Sequence, residues 1–168
     1  MKFLKYTLFV ILGLIAVVLL TALVLPKTFH AEGSTVINKS NSEVFNYVKH
    51  IKNQENFGVW FKLDPDLKKI SEGTDGTVGY TYRWTSEKVG NGAQVITAIE
   101  ENQRVSIDLY LMDSAEPATS YFTTKAVSEN QTEVRWVVDG TMPYPWNLMS
   151  LFYDMNKDFE QRVQNLKT

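Results

Sequence analysis

Few residues in this chain are of types that do chemistry on their own. There is no cysteine, which removes the disulfide, the thiolate zinc site, the iron–sulfur cluster and the Cys nucleophile together. His30 and His50 are the only histidines. They lie far apart, form no His-x-x-x-His pair and have no acidic cluster beside them, so their spacing points to no metal. Ser and Asp are present, but no nucleophile elbow is. Gly90-Asn91-Gly92 reads as a hairpin turn and not a phosphate loop, because neither a helix start nor a lysine follows it. Asp64, in Leu63-Asp64-Pro65, can orient a ligand hydroxyl or amine, or simply start a turn; Asp before Pro more often does the latter. Arg83 and Arg135 can clamp a carboxylate with two parallel bonds. On a strand, however, each points away from its aromatic neighbours, toward solvent partners such as Asp108 or Asp139. No catalytic residue, metal or cofactor is assigned on this reading. The balance of 17 Lys+Arg against 19 Asp+Glu, net −2, excludes a general nucleic-acid binder.

The aromatic residues are more informative, because the strands must aim them. Tyr80, Tyr82 and Trp84 alternate with Thr81, Arg83 and Thr85. Val105, Ile107, Leu109 and Leu111 alternate with Ser106, Asp108 and Tyr110. Val134, Trp136 and Val138 alternate with Arg135 and Asp139. Period-two alternation puts each set on one face of a strand, and one face is heavily aromatic. Strands are expected over residues 30–37, 67–71, 78–87, 93–99, 104–112, 119–128 and 132–142. Gly, Asn and Asp turns join the last six into an antiparallel meander. Between the first strand and the meander, Ser40-Asn41-Ser42-Glu43 is a capping box. It opens a helix of about ten residues carrying Val44, Phe45, Val48 and Ile51. A second short helix is expected over residues 53–60. A half-buried sheet needs a cover, and residues 146–166 supply one. Met149, Phe152, Asn156, Phe159, Val163 and Leu166 recur at 3–4 spacing, which predicts one long amphipathic helix.

The first 29 residues are of another kind. Residues 8–25 form an uncharged apolar run of 18; as a helix it spans ~27 Å, close to the hydrocarbon thickness of a bilayer. A cleaved signal peptide is the rival. Its apolar core is shorter, and Phe29-His30-Ala31 offers a large residue where a small one is wanted, so an uncleaved anchor is favoured. Lys2 and Lys5 precede the run and only Lys27 lies close after it. That places the N-terminus in the cytoplasm and the domain outside it, the periplasmic or cell-surface side if the cell is bacterial. From His30 onward the chain has 14 Lys+Arg against 19 Asp+Glu, net −5, which would not draw the domain onto anionic lipid. The expected organisation is an anchor and linker over residues 1–29 and one domain over 30–168.

Strand, two short helices, a meander and a terminal helix is a specific order. On Trp60-Phe61-Lys62-Leu63-Asp64-Pro65, Gly76-Thr77-Val78-Gly79-Tyr80-Thr81-Tyr82-Arg83-Trp84, Val89-Gly90-Asn91-Gly92 and Leu151-Phe152-Tyr153-Asp154-Met155-Asn156-Lys157, the chain resembles the SRPBCC superfamily. This is the START-like, helix-grip group that includes polyketide cyclase/dehydrase and lipid-transport proteins, here in a membrane-anchored bacterial form. The resemblance implies an α+β fold, with a curved antiparallel sheet of six to seven strands wrapped around a long C-terminal helix. It also implies a cavity between them for a hydrophobic or amphipathic small molecule, a lipid among the candidates. Trp60, Tyr80, Tyr82, Trp84, Leu109, Trp136, Phe152 and Phe159 are the expected lining; the plain alternative is that they fill a core. A cyclase/dehydrase-like enzyme and a ligand-free protein-interaction module are the rivals. The enzyme is the weaker, because no pair of ionisable residues converges on the aromatic face.

Overall fold

The chain divides into two units. A computed structural model describes residues 2–58 and 63–167, so Trp60 lies outside the described residues. One unit holds the chain up to Phe29 together with Thr141–Asp154; the other holds His30–Gly140 together with the chain from Met155. In chain order the elements are α1 (Lys2–Val24), β1 (Thr28–Ile37), α2 (Asn41–Val48), α3 (Gln54–Phe57), β2 (Lys68–Glu72), β3 (Thr81–Thr85), β4 (Gly92–Glu100), β5 (Arg104–Leu111), β6 (Ala118–Ser128), β7 (Gln131–Thr141) and α4 (Met155–Gln164).

In the larger unit the alternating runs join one seven-stranded sheet, ordered β1-β7-β6-β5-β4-β3-β2. From β2 to β7 every neighbouring pair is antiparallel, as short turns demand. The first strand returns to the far edge, beside the last. At the other edge β2 is exposed along its whole length. Lys68, Lys69 and Glu72 charge it, which discourages pairing with another chain. Register brings the large residues to one face. Tyr82 lies opposite Gln94, Gln94 opposite Leu109, and Ile96 opposite Ile107. Val105 lies opposite Phe122, and Phe122 opposite Trp136.

The capping box closes as its spacing requires. The Glu43 N–H donates to the Ser40 hydroxyl, and the Ser40 N–H donates to the Glu43 carboxylate at 3.2 Å. Val44, Phe45 and Val48 of α2 are buried. After α2 the chain makes a 3-10 turn, Ile51–Asn53, whose first amides are free donors. The carboxylate of Asp75, from the turn after β2, accepts both Ile51 N–H (2.9 Å) and Lys52 N–H (3.2 Å). That cap fixes α3 against the sheet loops.

The terminal helix departs from expectation. The apolar stripe over 146–166 predicts one rod, but Trp146–Leu151 is a 3-10 segment and α4 starts only at Met155. In the first piece Leu148 N–H donates to Pro145 O and Phe152 N–H to Met149 O. Its Asn147 side chain turns to another helix altogether: Nδ2 donates to the carbonyls of Ala22 (2.7 Å) and Leu25 (3.2 Å). Asp154 occupies the N-cap position of α4, a residue type that starts helices. Apolar spacing continues across the break because each piece buries or presents its own stripe.

The α4 helix is placed by β1. Gly33 approaches it so closely that a Cβ there would lie 2.6 Å from the Phe159 carbonyl carbon. Beside this contact, Glu32 N–H donates to Asn156 Oδ1 (3.0 Å) and the Thr35 hydroxyl to Gln164 Oε1 (3.1 Å). Val163 is fully buried.

The smaller unit is built on α1, 23 residues and so ~35 Å long. Among its described side chains the apolar ones are exposed along nearly the whole length, with Ala22 the buried exception. The hydroxyls of Thr7 and Thr21 donate to the carbonyls of Phe3 and Val17 one turn back.

Candidate functional site

The inner face of the sheet has two chemically different ends. At one, rings pack on rings. Phe122 stacks on Trp136 with centroids 5.0 Å apart, and Phe57 meets both edge-on at 6.4 and 6.2 Å. Phe159 of α4 packs on Trp136 at 4.9 Å. The Trp136 indole N–H donates to the Ser120 hydroxyl at 3.0 Å, so its polar edge is satisfied inside. Offset and edge-on ring pairs at such distances are interior packing.

At the other end the aromatic face carries polar groups. Tyr80 and Tyr82 are each 1% exposed. The Tyr82 hydroxyl donates to Glu55 Oε1 at 2.7 Å, and Lys69 holds the other carboxylate oxygen. Beside Tyr82, Gln94 Nε2 donates to Gln54 Oε1 at 2.9 Å. Gln94 Oε1 on this face is buried with no hydrogen-bond partner among the described residues, and the Tyr80 hydroxyl is buried near Ser71. Burial raises the Tyr80 phenol above its ordinary range, against an opposing influence of the nearby Ser71 hydroxyl. Burial, then the Glu55 carboxylate, pushes the Tyr82 phenol far up. Glu55 itself is pushed up by burial, but Lys69 and the Tyr82 hydroxyl outweigh this and hold it below the usual carboxylate range.

The sequence-predicted lining is therefore only partly brought together. Tyr80, Tyr82 and Trp136 are buried on the inner face, and Leu109 and Phe159 are half-buried there. Trp84 is half-buried, its ring lying where a side chain at Gly92 would have to go. Phe152 departs from the expectation: it is 87% exposed, so it lines no interior. The cause is the break before α4, which removes Phe152 from the helical register of Phe159.

Other expectations also resolve. Asp64 is buried in its turn, accepting Asp66 N–H (3.2 Å) and the Ser86 hydroxyl (2.6 Å), with Lys88 at 3.4 Å. It both starts the turn and ties it to the loop after β3; the Ser86 bond foremost holds its carboxyl below the ordinary range. Arg83 is exposed. Arg135 pairs with Glu32 at 3.3 Å, not with Asp108 or Asp139. Asp139 instead accepts from His30 Nδ1 at 2.6 Å. His30 and Glu32 also line a half-open pocket of about 300 Å³ with Gly33, Ser34, Asn156 and Glu160. Among the described residues no group of three or more His, Asp or Glu is placed to hold a metal ion.

No family model matches the chain, and no curated protein matches it. Solved structures do. A norcoclaurine synthase from Thalictrum, a point mutant with a transition-state analogue, superposes with a TM-score of 0.60 at 7% identity, over 83% of this chain and 92% of that one. The Aha1 dimer from Colwellia psychrerythraea gives 0.57 at 15% identity, over 83% of this chain and 93% of that one. A further structure, norcoclaurine synthase from Thalictrum flavum with dopamine and hydroxybenzaldehyde, gives 0.60 at 6% identity over 83% and 84%.

This chain has a helix-grip fold.

At these identities the likeness carries the fold alone, and activity must be argued from the site. In this helix-grip domain three members of the polar end escaped sequence reasoning. Gln54 and Glu55 lie on a four-residue helix with no periodic signal. Gln94 is a polar residue within a strand whose neighbours Val95 and Ile96 dominate the pattern. The one available signal is parity: Gln94 and Ile96 alternate on the same face.

Proposed function

We propose that this helix-grip domain binds an amphipathic small molecule, a lipid in the first place, and that α1 anchors it in a membrane. The observation that carries the binding reading is the buried, unpartnered Gln94 Oε1 at the polar end of the aromatic face. A buried acceptor without a partner costs about 1–3 kcal/mol, and a guest hydroxyl or amine would satisfy it. Apolar walls with a few convergent polar atoms are the usual small-molecule site. The apolar part of the guest would lie along Tyr80, Tyr82, Trp84 and Leu109, because the Trp136 end is occupied by rings. Trp60, on the segment after α3, remains part of the proposed lining.

Acid–base catalysis is the second reading, since Tyr82 of the sheet and Glu55 of α3 form an ionisable pair. The directions of their pKa values argue against it. A general acid or base works best with a pKa near the operating pH. Here the acid is held up and the carboxylate held down, which suits a structural bond.

The anchor reading rests on the run over 8–25 being apolar on every side and exposed, with its Thr21 hydroxyl bonded to the helix backbone. Lipid requires each of these features. The flanking lysines support a cytoplasmic N-terminus and an external domain.

The binding test uses the full chain in mild detergent. Native mass spectrometry should show a co-purifying small molecule, and a fluorescent fatty acid should bind saturably and be displaced by lipid extract. No bound mass together with no saturable displacement would reject the binding reading.

A further inference from the structure

We propose that residues 144–153 form a second membrane contact, a wedge lying in the interfacial layer of the leaflet where α1 ends. It rests on the reading of α1 as a membrane span. The sequence there is Tyr-Pro-Trp-Asn-Leu-Met-Ser-Leu-Phe-Tyr, without a charged residue. In water such a stretch would bury its large side chains. Here Trp146 is 65% exposed, Phe152 87%, Leu151 54%, Met149 51% and Tyr153 47%. So dense a cluster of exposed apolar groups marks a contact surface.

The partner is named by what the segment is fixed to. Asn147 is 1% exposed, and its Nδ2 donates to the carbonyls of Ala22 and Leu25. The first is one of the last carbonyls of α1, which have no partner within the helix, and the second lies one residue past its end. Nearby, Met142 N–H donates to Lys27 O at 2.6 Å, and Ala22 is fully buried. The segment is thus tied to the level at which the apolar helix stops. If α1 crosses a bilayer, that level is the boundary between hydrocarbon and headgroups. Trp and Tyr favour this layer because an apolar ring and a polar edge are both accommodated there. The exposed side chains of this segment and those of α1 belong to one unit, and Lys27, exposed at the junction, suits the headgroup layer. A 3-10 segment also suits this layer better than the hydrocarbon core, because its unpaired backbone groups need water or headgroups.

The absence of cysteine makes the test direct. Single variants Phe152→Cys, Met149→Cys and Ile15→Cys of the full chain are labelled with an environment-sensitive fluorophore. Each is reconstituted into phosphatidylcholine vesicles with plain or brominated acyl chains. The proposal expects bromine to quench the label strongly at 15, and by about two-fold at 149 and 152, as for groups buried shallowly in the interface. Quenching at 15 with none at 149 and 152 would overturn the wedge and leave the span standing. No quenching at 15 would overturn the span, and the wedge with it. Shielding of 149 and 152 from an aqueous quencher in native membranes but not in pure vesicles would identify a protein as the cover and likewise reject the lipid contact.

Discussion

At the scale of single residues, the chemistry of this domain is a matter of which polar atoms are paired. His30 is half exposed and held by Asp139 at 2.6 Å. That hydrogen bond, foremost, raises its pKa above the ordinary 6.5. A raised histidine binds its proton more tightly when folded. Its contribution to stability is therefore full below pH 6.5 and is lost as pH rises through the folded value. An NMR titration of the His30 ring should give a midpoint above 6.5, and Asp139→Asn should move it back down. A midpoint at or below 6.5 in the parent would contradict the pairing. Tyr82→Phe removes a buried hydroxyl that donates to a carboxylate. Hydrogen bonds to charged groups are worth about 1.5–3 kcal/mol, and urea unfolding should show a loss of that order. An unchanged midpoint would mean the bond contributes nothing. The ligand prediction belongs here too. Gln94→Leu deletes the free acceptor and should weaken fatty-acid binding by about 2–10-fold, the equivalent of one hydrogen bond. Gln54→Leu breaks the same interior bond but leaves Gln94 Oε1 in place. It should cost similar stability and leave affinity unchanged; equal affinity losses in both would deny Oε1 a role.

Among the elements, α4 and its partner strand decide how the sheet is covered. The close approach at Gly33 leaves no space for a methyl group, and what it meets is helix backbone, which cannot swing aside. Gly33→Ala should therefore shift α4 and loosen Phe159 from Trp136. Overpacking of this kind costs about 1–3 kcal/mol. A lowered melting temperature with altered tryptophan emission is the expected result, and a melt identical to the parent would place the helix elsewhere. The strands were legible from alternation to within a few residues, and α2 from its capping box. The terminal helix was not. Met149, Phe152, Asn156 and Phe159 keep helical spacing across a stretch that is not helical. Periodicity reports which residues share a stripe, not whether the backbone between them is continuous. Asp154, an N-cap type in the middle of that stripe, was the available warning.

For the molecule as a whole, the division between units does not follow the chain. Residues 141–154 leave the sheet and join α1, so the part grouped with the apolar helix is assembled from both ends of the sequence. If α1 spans a membrane, the full chain should remain in the membrane pellet through alkaline carbonate washing. Release into the supernatant would reject the anchor and return a signal sequence as the reading of α1.

What the sequence determined by itself was local or periodic. It specified an apolar run of membrane length, a capped first helix, and a meander with one aromatic face, because each depends on neighbours within a few residues. Only the tertiary structure decided which aromatics pack on one another, that Glu55 and Gln94 meet the aromatic face, and that Asn147 caps a helix 125 positions away. Those outcomes depend on register, loop capping and the competition of unpaired backbone groups for distant partners, of which the chain shows no more than the parity of Gln94 with Ile96.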